Sequence, residues 1–144
     1  MKPLHFVKAV DRDQIVAAIA DAETRTSGRI RVFISHHKTA DVLRNAGNIF
    51  AKLKLNQAPL RNAVLIFIAP VSHKFAVIGG TGVHAKCGDE FWRGIVETME
   101  AGLKRGDFTD ALVHGVEKIG SVLAEHFPPD SAAKDDLSDA VVEE

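Results

Sequence analysis

The chain has 144 residues, 46% of them hydrophobic and 26% charged, with a formal net charge of -1. That length suits one domain with a true core. A single cysteine excludes a disulfide-stapled scaffold, and no apolar run reaches the ~20 residues needed to span a bilayer. The opening Met1-Lys2-Pro3-Leu4-His5 leads into charge rather than a signal-type apolar region, so a cytoplasmic location is expected. Beyond Pro128 the chain carries a net -5, and the remainder +4. That small excess, without interleaved aromatic residues, gives no footing for nucleic-acid binding.

Residues 1–10 read as a leader, 11–128 as the domain and 129–144 as an acidic, disordered tail. Asp11-Arg12-Asp13-Gln14 has the form of a capping box, in which Gln14 would reach back to the backbone of Asp11. The helix it opens runs to about Thr26, and Ser27-Gly28 stops it. From Arg29 to Ser35 the residues alternate: Ile30, Val32 and Ile34 mark one face, and Arg29, Arg31 and Phe33 a partly wet one. A second helix starts near Thr39 or Asp41 and ends around Lys54, with Val42, Leu43, Ala46, Ile49, Phe50 and Leu53 as its stripe.

Ala63–Ala69 is apolar on both faces, which predicts a central strand covered on both sides. Lys74–Gly79 follows after a tight connection and predicts a hairpin with it. The helix-length crossover before Ala63 makes the first two strands parallel. A third helix is expected over Asp89–Arg105, and a fourth from Thr109 as N-cap to the stop at Pro128-Pro129. The order αβαββαα predicts an α/β fold: a three-layer α/β/α sandwich with a small mixed sheet.

Candidate chemistry is sparse. Gly79-Gly80-Thr81-Gly82 is either a ligand cradle with free amides or simply a loop needing positive φ. Cys87 and Arg93 have the spacing of cysteine-dependent phosphatases, but Asp89 and Glu90 would repel a bound dianion. His84, Cys87 and Asp89 lack the second ligand cluster expected of a zinc site. His36, His37 and His73 fall at the carboxyl end of the first two strands, where open α/β sheets bind ligands. They read as exposed loop residues or as a metal or proton site.

Taken together, several segments resemble the TPM domain family over about residues 11–128: Thr26-Ser27-Gly28 before a strand, Arg61-Asn62-Ala63-Val64-Leu65-Ile66-Phe67, Lys74 to Gly79 with Gly82 beyond, Asp89, and Gly106-Asp107-Phe108. The family is named for a thylakoid-lumen phosphatase, a photosystem II repair protein and a nematode receptor modulator, and compact single-domain bacterial members are the most similar. The resemblance implies an α/β/α sandwich. It also implies a ligand region at Asn62, Gly79, Gly82 and Asp89, acid phosphatase activity in some members, and calcium or another divalent cation in some.

Three departures bear on that expectation. Arg29 stands where relatives carry an acid, Gly80 where compact members have an aspartate, and Ala63 where the family has a glycine. Hard cations need several oxygen ligands, mostly carboxylates. Losing two of these weakens the cation site, while Arg29, Arg61 and the turn amides attract phosphate or carboxylate. The expected function is therefore a non-catalytic binding or regulatory module for a protein partner or small anion, with Arg29, Arg61, Asn62, Gly79, Gly80, Thr81 and Gly82 around the ligand. The alternative is a divalent-metal-assisted acid phosphatase in which Asp89 holds the metal or carries the catalysis.

Overall fold

With seven apolar residues and no polar gap, Ala63–Ala69 can only lie where both faces are covered. The computed structural model places it inside a four-stranded sheet of order β3-β2-β1-β4. The structure describes residues 10–129 and 139–144. The expected leader lies outside them except for Val10, as do residues 130–138 of the expected tail.

The elements are α1 (Arg12–Glu23), β1 (Arg29–Ile34), α2 (Val42–Lys52), β2 (Ala63–Ala69), β3 (Lys74–Gly79), α3 (Thr81–Arg105), α4 (Phe108–His126) and β4 (Val141–Glu143). β1 and β2 are parallel, with Arg29 opposite Ala63 and Phe33 opposite Phe67. β2 and β3 form the antiparallel hairpin. Ile30, Val32, Ile34, Val64, Ile66 and Ile68 face α1, α3 and α4. Phe33, Leu65, Phe67 and Ala76 face α2 through Ala46 and Phe50. The Phe33 and Phe67 rings stack with centroids 5.6 Å apart, as side-by-side positions in a parallel ladder allow. The result is the expected three-layer α/β/α sandwich with a mixed sheet.

The boundaries differ for local reasons. Asp11 caps α1 by accepting from Gln14 N (3.2 Å), but the Gln14 amide donates to the Asp11 carboxylate rather than reaching its backbone. The Asp11 N–H is taken instead by Thr109 Oγ1 at 2.8 Å, so Thr109 joins α4 to α1 and Asp107 occupies the N-cap of α4. α1 ends at Glu23, and Thr26 is buried beyond it with its hydroxyl donating to the Phe127 carbonyl at 2.5 Å. Leu43 lies off the buried stripe of α2 and is exposed.

α3 starts eight residues earlier than expected. Thr81–Cys87 is already helical, with Val83 buried against the core. The break expected before Asp89 survives as Gly88, whose φ of 74° interrupts the helix.

Within the expected tail, residues 139–144 are ordered. Val141–Glu143 adds to the outer edge of β1 as a parallel strand, and Ala140 and Val141 are fully buried. The acidic composition masked this: the burial is carried by Ala140 and Val141, flanked by acids that remain at the surface.

Candidate functional site

The region around the glycine turn is assembled from three segments. Before β2 the chain makes a short 3-10 turn at Leu55–Gln57, and Arg61 then takes a left-handed conformation, φ 53°. That twist presents the carbonyls of Leu60 and Arg61 to the start of α3. Gly82 N donates to the Arg61 carbonyl at 3.0 Å, and Gly80 N to the Ala63 carbonyl at 2.9 Å. A Cβ at Gly80 would lie 2.3 Å from the Arg61 carbonyl oxygen, and one at Gly82 2.1 Å from that of Leu60.

Neither glycine has a positive φ. Both are glycines because another backbone fills the space of their side chains. The two amides expected to hold an anion are therefore already bonded. Gly79 pairs with Val64 in the hairpin and lies under the Trp92 ring, and Thr81 is exposed at the first turn of α3.

Asn62 is 2% exposed. Its side-chain amide donates to Ser27 Oγ at 3.2 Å, and its carbonyl accepts from Arg29 N at 3.4 Å. It braces the entries of β1 and β2 against each other. Arg61 turns its guanidinium back onto the Ala58 carbonyl at 2.8 Å. Arg29 lines a cleft of about 370 Å³ with Arg31, Lys54, Gln57 and Asp139. On the glycine-turn side, Ser27, Leu60, Gly82, Lys86, His126 and Phe127 line a separate cleft of about 410 Å³, completed by Pro128-Pro129. The expected site is thus split, with the glycine turn in one cleft and Arg29 in another.

Asp89 is exposed and follows the Gly88 break, so the chain turns between it and Gly82. Among the described residues no three His, Cys, Asp or Glu side chains come together as a metal group. The oxygens near Asn62 come from one amide, one hydroxyl and backbone carbonyls already accepting hydrogen bonds. That donor set does not match the carboxylate-rich shell calcium takes.

The remaining candidates disperse. His36 sits 3.5 Å from Glu143, His37 lines a cleft with Lys38, Asn45 and Glu144, and His73 lines another with Phe75 and Glu100. His84 packs its ring on Trp92, with centroids 5.0 Å apart. Burial pushes the Cys87 thiol up, and the Glu125 carboxylate adds to the effect. Such a thiol stays protonated at neutral pH, the opposite of what a nucleophile needs.

Sequence reasoning missed a buried ion pair. Arg31 and Glu23 side chains are 3% and 5% exposed and meet at 2.8 Å. Glu23 Oε2 also accepts from Ile30 N at 2.9 Å, and Asp139 lies 3.5 Å from Arg31 Nε. The alternation of β1 placed Arg31 beside Arg29 as a wet position. The only sequence signal against that was an acid at the end of the preceding helix.

A family model, described as TPM domain, matches residues 2–122. The chain belongs to the TPM domain family. No curated protein matches it significantly. Among solved structures, the TPM chain is similar to the BA42 protein of the psychrophilic bacterium Bizionia argentinensis, at 33% identity and a TM-score of 0.83, over 94% of this chain and 95% of that one. An N-terminal domain of cg2496 from Corynebacterium glutamicum (18% identity, TM-score 0.61, 86% and 77% covered) and one from P. gingivalis (15%, 0.65, 84% and 82%) share the fold. No helix among the described residues of this TPM domain is long and apolar enough to cross a membrane.

Proposed function

We propose that this TPM domain is a non-catalytic binding module of the cytoplasm, whose ligand is an acidic, apolar segment of a protein partner seated in the cleft beside the glycine turn. The observation that carries the reading is the make-up of that cleft. Leu60, 55% exposed, and Phe127 with Pro128-Pro129 supply apolar walls, while Lys86 supplies the cationic group and His126 a polar ring beside it. The Lys86 ammonium stands 5.7 Å from the centre of the Phe127 ring, so the charge is already seated on the apolar wall. A free anion gains less here, because the Gly80 and Gly82 amides are spent on carbonyls.

A random peptide library selected on the full chain tests this. Binders are expected to place an acid next to apolar residues, and Lys86→Glu with His126→Glu is expected to weaken them about tenfold. Binders indifferent to both substitutions would place the ligand elsewhere.

Family membership alone favours the second reading, a metal-assisted phosphatase using Asp89. Its chemistry requires a metal or nucleophile together with charge stabilisation. Hydrolysis of p-nitrophenyl phosphate with calcium, magnesium or manganese is expected to stay at the buffer rate for both the wild type and Asp89→Ala. Metal-dependent turnover abolished by that substitution would replace the binding reading.

A further inference from the structure

The last six residues are held on the outer edge of β1 by an unusually complete set of contacts for so short a segment. On the backbone, Val32 N donates to the Ala140 carbonyl (2.9 Å), Glu144 N to that of Ile34 (3.1 Å) and His36 N to that of Glu144 (2.8 Å). Arg12 Nη2 donates to the Val141 carbonyl at 2.6 Å. Three acids each meet a base: Asp139 with Arg31 at 3.5 Å, Glu143 with His36 at 3.5 Å, and Glu144 with Lys52 at 2.8 Å. Between them, Ala140 and Val141 enter the core under α1 and α4, and Val142 packs on the α2 side.

The receiving surface is therefore specific. It is an open strand edge with one small and one medium apolar hole, ringed by four basic side chains drawn from α1, β1, the loop after β1, and α2. It reads a polypeptide by backbone hydrogen bonds and by alternate side chains, as strand-adding recognition sites do. The segment it holds has the pattern acid, small, apolar, apolar, acid, acid.

The pairing that holds the occupant is nevertheless short. β4 has three residues and pairs with only Val32, Phe33 and Ile34 of the six in β1. Parallel pairing is slightly less stable per residue than antiparallel. The Arg31–Asp139 and Lys52–Glu144 ion pairs and the His36–Glu143 contact each have at least one partly exposed partner, which limits what each contributes.

We propose that the outer edge of β1 is a strand-accepting site for acidic, apolar segments of other proteins, and that residues 139–144 fill it as a tethered competitor. This goes beyond the glycine-turn cleft, which shares none of these residues. Because residues 139–144 belong to the same chain they compete at an effective concentration on the order of millimolar, so a partner binds only when it is strong or these residues have been displaced.

The test uses the full chain and a fluorescent six-residue peptide that keeps the pattern acid, small, apolar, apolar, acid, acid but differs from residues 139–144 at every position. Val141→Asp puts a charge at a fully buried position and releases the tail. The peptide is expected to bind this variant at least about tenfold more tightly than the wild type, shifting the amide resonances of Val32 and His36. A peptide with its three acids changed to glutamine is expected to bind more weakly. Should Val141→Asp fail to fold, the double variant Glu143→Lys, Glu144→Lys releases the tail through partly exposed positions and carries the same expectation. Equal binding to wild type and released variants, or binding to none, overturns the proposal. A concentration-dependent dimer of the wild type that the tail substitutions abolish would overturn the partner assignment in favour of a second copy of this chain. Loss of peptide binding to Lys86→Glu would show instead that the glycine-turn cleft is the site.

Discussion

Replacing Glu23 with glutamine is expected to destabilise the fold by about 3–5 kcal/mol, the range for removing one partner of a buried ion pair. Glutamine keeps the shape and loses the charge. The Arg31 guanidinium, 3% exposed, would keep its bond to the Ile30 carbonyl at 2.8 Å, but among the described residues the carboxylate left beside it would be Asp139 at 3.5 Å, which is itself 55% exposed and screened by water. The Ile30 N–H would keep an acceptor of lower strength. The pair as a whole is a different matter, because burying both charges carries its own desolvation cost. Glu23→Leu combined with Arg31→Met is expected to recover most of the loss. Urea midpoints at constant m-value measure both. A single substitution costing less than about 1 kcal/mol would show that water reaches the pair.

The second large effect is expected at Gly82. A methyl group there would sit 2.1 Å from the Leu60 carbonyl oxygen and 2.9 Å from that of Arg61. Backbone on both sides leaves no flexible side chain to yield, so the 60–62 loop must move and the Gly82 N to Arg61 O bond must stretch. Gly82→Ala is expected to cost about 3 kcal/mol, the upper part of the range for overpacking. Gly47 is the internal control. It lies in α2 with nothing within 4 Å of its added Cβ, and Gly47→Ala is expected to stabilise by about 0.5–1 kcal/mol through helix propensity alone. Opposite signs in one thermal-unfolding series would confirm that close approach, and not backbone freedom, selects the glycine at 82.

That contrast explains what could and could not be read from the sequence. The central strand, the alternation of β1 and the crossover through α2 were legible because burial imposes a period on the residues, and period is local. The glycine turn was only half legible. Glycine marks a special position but does not say whether it serves a dihedral angle or a neighbour, and the neighbour here is some twenty residues away at Leu60 and Arg61. Arg31 was misread because strand alternation reports which face a residue points to, and whether that face is covered depends on Glu23 and Asp139 arriving from elsewhere. The candidate site was legible as a list and not as a place: Asn62 proved to be a brace, while Arg29 and Gly82 parted into different clefts. The tail was misread because composition averages over its length, and two buried residues among acids do not shift an average.

β4 also has a consequence in time. The edge of β1 emerges from the ribosome about a hundred residues before the segment that covers it, an interval on the order of 5–20 s at ordinary synthesis rates. Throughout that interval an open strand edge invites pairing with other nascent chains. Arg29 and Arg31 stand along that edge from the start, and the partner of Arg31, Glu23, has already been made. Charged side chains along a strand oppose such pairing, and β1 carries two of them, Arg29 and Arg31, before β4 is made.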